Sequence, residues 1–159
     1  MKMKLRHTLL IGVVLLTVSC SKESVVGETP IQESENVVFV EVELLNVVND
    51  HRASLGYKIL EYSAVAYEFA NNHTDYMIAK GSLSHDNFSA RASNISAIEN
   101  AEFVAENVAK DYDNAVEAFQ GWLNSSSHKK TMEGDFTHTA VSVKKDANGN
   151  FYFTQLFFR

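Results

Sequence analysis

The chain has 159 residues, of which 45% fall in the AVILMFWYC group, 21% are charged and 11% are aromatic. That composition is globular and excludes a disordered, collagenous or multi-span membrane chain. Asp plus Glu number 20 against 14 Lys plus Arg, or against 11 once Lys2, Lys4 and Arg6 leave with the leader described below. With no basic cluster beyond the pair Lys129-Lys130, nucleic acid is excluded as a partner. Cys20 is the single cysteine, so neither a disulfide framework nor a Cys-ligated metal site is available.

Lys2, Lys4 and Arg6 precede an apolar run from Leu9 to Val18 that is too short to cross a bilayer and ends on Ser19 and Cys20. Residues 1–19 therefore read as an export leader. Leu16-Thr17-Val18-Ser19-Cys20 resembles the lipobox of bacterial lipoproteins, with Thr17 where Leu usually stands. This reading makes Cys20 a lipidated anchor on a membrane of the bacterial cell envelope, at the periplasmic face or the cell surface, since each buried methylene contributes about 0.8 kcal/mol. Residues 20–35, polar and carrying Gly27 and the single Pro30, read as a flexible linker. Residues 36–159 are left as one folded domain.

In chain order, Val38, Val42, Leu45 and Val48 recur at helical spacing and predict a helix to about Ser54, closed by Gly56. A second helix is expected from about Glu61 to Lys80, with Tyr62, Ala66, Phe69, His73 and Met77 on one face and Gly81 as its stop. Leu83 to Ala101 is poor in apolar residues and reads as loop with at most a short helix. Phe103 to Val108 reads as a strand and Ala115 to Leu123 as another helix. Ala140 to Lys145 and Phe151 to Phe158 read as a hairpin around Asp146-Ala147-Asn148-Gly149, because Asn-Gly between strands is a hairpin signal.

The last strand is apolar on both alternating sets, Phe151, Phe153 and Phe157 against Tyr152, Leu156 and Phe158. A sheet buried on both faces needs helices on both. The expected fold class is α/β: an α/β/α sandwich with a small, largely antiparallel, three-stranded sheet.

Three ionisable residues fit a core badly. Glu106 shares a strand face with Val104 and Val108 and needs polar partners if that face is covered. His85 follows the second helix and His128 follows the Trp122 helix, both at ends of rigid elements. Imidazole and carboxylate groups can orient one another or hold a divalent metal. His73, on an apolar helix face, reads as a buried histidine bonded to backbone.

Several short motifs then occur in one order: Leu45-Asn46-Val47-Val48-Asn49-Asp50-His51-Arg52, His73-Thr74-Asp75-Tyr76-Met77, Leu83-Ser84-His85, Ala105-Glu106-Asn107-Val108-Ala109 and Trp122-Leu123-Asn124-Ser125-Ser126-Ser127-His128. Together they resemble the CAP superfamily of cysteine-rich secretory, antigen 5 and pathogenesis-related 1 proteins, whose module is also called the SCP domain, over about Val38 to Phe158. The resemblance implies the α/β/α sandwich and a cavity lined by two His and two Glu able to hold Zn²⁺ or another divalent ion. His85, Glu106 and His128 match three of these four; the second glutamate position falls near Ser125. Ser125 and Asn107 are then expected to line the cleft, and Zn to bind weakly through His85 and His128. Where relatives usually carry glycine, this chain has Ala105, Ser127, Ala140 and Ser142, whose Cβ atoms are expected to narrow the cleft.

Two functions are compatible with that set. The preferred one is a tethered extracytoplasmic module that binds a peptide, glycan or lipid beside the histidines. The alternative is a metal-assisted, peptidase-like hydrolase with His85, Glu106 and His128 as catalytic residues, disfavoured by the missing fourth member.

Overall fold

The structure, a computed structural model, describes residues 34–159. The leader, Cys20 and nearly all of the linker lie outside the described residues.

The element order is α1 (Val38–Ser54), β1 (Glu61–Tyr62), α2 (Ala64–Lys80), α3 (Phe88–Glu99), β2 (Val104–Lys110), α4 (Ala115–Leu123), α5 (Ser126–Met132), β3 (His138–Lys145) and β4 (Phe151–Phe158). The strands form one sheet in the order β1-β3-β4-β2. β4 pairs antiparallel with both β2 and β3, and β1 pairs parallel with β3.

β4 is buried at all eight positions, and its two residue sets divide as its alternation requires. Phe151, Phe153 and Phe157 pack with Val40, Leu44 and Val48 of α1 and Phe119 and Trp122 of α4. Leu156 and Phe158 pack with Ala66 and Ala70 of α2 and Ile95 of α3, and Tyr152 packs with Met77. Helices thus cover both faces of the sheet, completing the expected sandwich. The sheet has four strands where three were expected. The fourth, β1, is two residues long, too short to carry a period, and occupies the start of what reads as the second helix.

That helix begins later, at Ala64, because Ser63 caps it by accepting a hydrogen bond from the Ala66 N–H. It ends on Gly81 with φ +70°, a left-handed conformation that glycine adopts without Cβ strain. Its buried face is Ala66, Ala70, His73, Thr74, Asp75 and Met77, while Tyr62 is exposed. α1 has the expected bounds but a rotated inner face. Val40, Glu41, Leu44, Val48 and Arg52 are buried, while Val38 and Val42 are exposed. The interior of this helix accepts two charged side chains, which apolar periodicity alone does not anticipate.

Glu41 shows how such a charge is accommodated. Its carboxylate accepts hydrogen bonds from the Val143 N–H at 2.9 Å, Asn36 Nδ2 at 2.6 Å and the Tyr67 hydroxyl at 2.9 Å. Burial first, and this bond to Glu41 second, push the Tyr67 phenol up to about 12. Asp75 likewise accepts from Lys144 Nζ at 2.6 Å and from the Ser34 N–H at 2.9 Å. These contacts fasten the start of the described chain to the sheet.

Candidate functional site

α3 is a full helix of 12 residues where loop was expected. Its stripe is narrow: only Arg91 and Ile95 are buried, and Phe88 and Ala92 are partly so. A guanidinium in the middle of the stripe removes the apolar signal.

That guanidinium meets Glu106. β2 projects Glu106 onto the α2 and α3 face of the sheet, beside Val104 and Val108, and its side chain is 1% exposed. Arg91 Nε donates to Oε2 at 2.9 Å, and Nη2 donates to Oε2 at 2.7 Å and Oε1 at 3.0 Å. Arg91 Nη1 also donates to the Asp86 carbonyl at 2.8 Å, tying the His85 segment to α3. His85 Nδ1 lies 2.8 Å from Glu106 Oε1. A carboxylate only accepts, so Nδ1 carries a proton and Nε2 is the ring nitrogen left free of Glu106.

Burial alone raises the pKa of Glu106, but the hydrogen bond from His85 and the electrostatic effect of His73 and of the Arg91 guanidinium outweigh it, and the net shift is downward. The site floor is therefore a carboxylate that stays ionised. His73 lies behind it, 3.8 Å from Oε1, and donates from Nε2 to the Ser84 carbonyl at 2.7 Å. It is buried and backbone-bonded, as its place on the helix suggested. Burial pushes its pKa down, only partly offset by Glu106.

His128 comes from α5, a short helix hidden in sequence by its Ser, His and Lys content; Met132 is its one buried residue. Three contacts place α5. Asn107 Nδ2 donates to the His128 carbonyl at 3.1 Å. Trp122, buried in α4, donates from Nε1 to the Val108 carbonyl at 3.2 Å, and its ring centroid is 6.5 Å from that of His128. Arg52, 1% exposed, donates to the carbonyls of Met132 at 2.6 Å, Gly134 at 2.9 Å and Lys58 at 2.9 Å. The half-buried His128 ring takes no hydrogen bond among the described residues. Burial lowers its pKa first and His85 lowers it second.

Asn107 and Ser125 occupy different ground. Asn107 follows Glu106 in the strand, so its side chain lies on the opposite face of the sheet; its Oδ1 is buried without a partner. Ser125 is the residue before α5. It lines an open groove with Tyr112, Gly121 and Asn124, and its Oγ lies 3.2 Å from that of Ser127. Ala140 packs under α2 with Ala66 and Ala70, so its Cβ fills the core and does not narrow the cleft.

Among the described residues no group of three or more His, Cys, Asp or Glu is arranged as a metal centre. Glu106 is already engaged by Arg91 and His85, which leaves His85 Nε2 and His128 as open donors. Two imidazoles fall short of the three protein ligands of catalytic zinc. Arg91 went unremarked in sequence; the available signal was an arginine on the period of Phe88, Ala92 and Ile95.

A model of the cysteine-rich secretory protein family, CAP, matches residues 45–157. The uncharacterized membrane protein YlbC of Bacillus subtilis is 29% identical over 123 residues, 75% of this chain and 34% of that protein. The chain thus spans about a third of that curated relative's length. An extracellular protein containing an SCP domain from Bacillus anthracis superposes with TM-score 0.67 at 24% identity, covering 77% of this chain and 41% of that one. A cysteine-rich secretory protein of Staphylococcus aureus gives TM-score 0.65 at 17% identity, with 81% and 40% coverage. An outer surface protein of Borrelia burgdorferi gives 0.68 at 17% identity, with 79% and 98% coverage. No helix of the described residues is long and apolar enough to cross a membrane.

Proposed function

The chain belongs to the cysteine-rich secretory protein (CAP) family, and from that premise we propose that it is an extracytoplasmic binding module, held to a membrane through lipidated Cys20. Its site is the cleft whose floor is Glu106 and whose open groups are the imidazoles of His85 and His128. The names of its relatives, a membrane protein, an extracellular protein and an outer surface protein, support a place outside the cytoplasm.

The observation that carries the choice of binding over hydrolysis is the state of Glu106. A general base must have a lone pair aimed at the water it deprotonates. Both oxygens of Glu106 are bonded by the Arg91 guanidinium, and Oε1 also by His85. The carboxylate therefore acts on His85, holding the ring by Nδ1 and turning Nε2 outward. Zn²⁺, if taken up by His85 Nε2 and His128, would supply a positive centre for an anionic or carbonyl group of a ligand.

The test is a Zn²⁺ titration by calorimetry and histidine NMR. One weak site is expected, lost in His85→Ala and in His128→Ala and weakened modestly in Glu106→Gln. Unchanged binding in both histidine variants removes the metal from the account. Turnover of a peptide or ester panel that chelator abolishes and His128→Ala eliminates would overturn the binding reading in favour of hydrolysis.

A further inference from the structure

β2 is the outermost strand on its side of the sheet, so one of its two rows of backbone groups faces away from β4. The bonds at its ends fix which row. Phe103 and Arg159 exchange N–H to carbonyl bonds at 3.2 and 3.1 Å, and the Asp111 N–H donates to the Phe151 carbonyl at 3.1 Å. Odd-numbered residues therefore bond to β4, and Val104, Glu106 and Val108 turn their N–H and C=O groups outward. The Val108 carbonyl is taken by Trp122 Nε1. Among the described residues nothing equivalent meets the backbone of Val104 or Glu106. Glu106 as a whole is 9% exposed while its side chain is only 1% exposed, so it is the backbone of this residue that solvent reaches.

The open edge is flanked differently on its two faces. On the Ala105 side lies a cavity of about 280 Å³ whose lining includes Phe103, Ala105, Lys130 and Phe136, with the two phenyl rings stacked at 5.8 Å. On the Glu106 side stands His85, its side chain 54% exposed.

We propose that an extended peptide binds this protein by adding a strand to β2 along Val104 to Glu106. The proposal rests on the cleft reading above and names the class of its ligand. Outward N–H and C=O groups that alternate along an edge call for a partner with the same alternation, which a peptide backbone has and a lipid chain or a glycan lacks. Side chains of an added strand point to alternate faces of the sheet. One therefore enters the Phe103 and Phe136 cavity, where an aromatic or long aliphatic group fits, and the next stands over His85.

The test selects a phage-displayed random decapeptide library on the full-length protein and measures synthetic versions of the enriched peptides by calorimetry. N-methylation at alternate amides is expected to weaken binding by tenfold or more, and methylation at the amides between to change it by less than about twofold. The exposed Phe103, changed in Phe103→Ala, is expected to lose a similar factor, and hydrogen exchange at the Val104 and Glu106 amides is expected to slow on binding. No enrichment, no alternation in the N-methyl series, or unchanged exchange at those amides overturns strand addition. Peptides that need His85 and His128 yet ignore N-methylation overturn strand addition and leave the cleft reading standing. Alternation that persists undiminished in His85→Ala and His128→Ala supports the edge and removes the histidine cleft from the account.

Discussion

A carboxylate buried as deeply as Glu106 would lose its charge if it stood alone. Its partners decide otherwise, and breaking the set leaves a buried charge without its main counterion. Arg91→Gln is expected to lower stability by about 3–5 kcal/mol in urea denaturation near neutral pH, with part of the loss recovered in the double variant with Glu106→Gln. A cost below about 1 kcal/mol in the single variant would place the pair among weak, surface-like ones. The histidines predict a pH dependence. His73 and His128 both have lowered pKa values in the folded chain, while the unfolded chain titrates near the ordinary value of about 6.5. As pH falls through that value the unfolded state takes up protons that the folded state refuses, so stability is full above it and declines below it. Glu106, also lowered, adds a further loss as pH drops through the ordinary carboxylate range. Urea midpoints should be level around pH 7 to 8 and fall from about 6.5 downward, and a midpoint that rises between about pH 6.5 and 5.5 would contradict the assignment of neutral, buried imidazoles.

At the scale of elements, α5 is short and has little interior of its own, and its position depends on groups elsewhere. Arg52 of α1 spans to the carbonyls of Met132 and Gly134 after a separation of 80 residues or more. Arg52→Met keeps much of the volume but leaves the buried Met132 carbonyl without that donor, at about 1–3 kcal/mol for an unsatisfied group, while the Gly134 carbonyl keeps the Phe136 N–H. The expected outcome is a lower urea midpoint together with faster hydrogen exchange across Ser126 to Met132; exchange that speeds uniformly over the whole chain would show that Arg52 supports the fold and not α5 in particular. The same dependence explains which elements were legible. α4 and the β3 and β4 hairpin declare themselves because apolar burial follows the local period. α3 and the true inner face of α1 are obscured because Arg91, Glu41 and Arg52 occupy inward positions, and α5 because its Ser, His and Lys residues leave Met132 as its one buried position. The two residues of β1 carry no period at all.

For the whole molecule, the described domain is fastened to its own N-terminal approach by Ser34 on Asp75, Asn36 on Glu41 and the Lys144 to Asp75 ion pair. The anchor proposed at Cys20 lies upstream of this fastened end. The tether itself is testable: Cys20→Ser is expected to move the protein from the membrane fraction to the soluble fraction on cell fractionation, and an unchanged distribution would remove the lipid anchor.

Sequence by itself determined the layered sandwich, since a strand apolar on both sides must be covered twice, and it identified His85, Glu106 and His128 as residues in want of a role. Only the tertiary structure decided what Glu106 does. Its partners, Arg91 and His85, come from different elements, and electrostatic complementarity between side chains distant in sequence leaves no local period. The open edge of β2 belongs to the same class of fact: whether a strand is central or outermost depends on which strands lie beside it, a property of topology that its own seven residues do not encode.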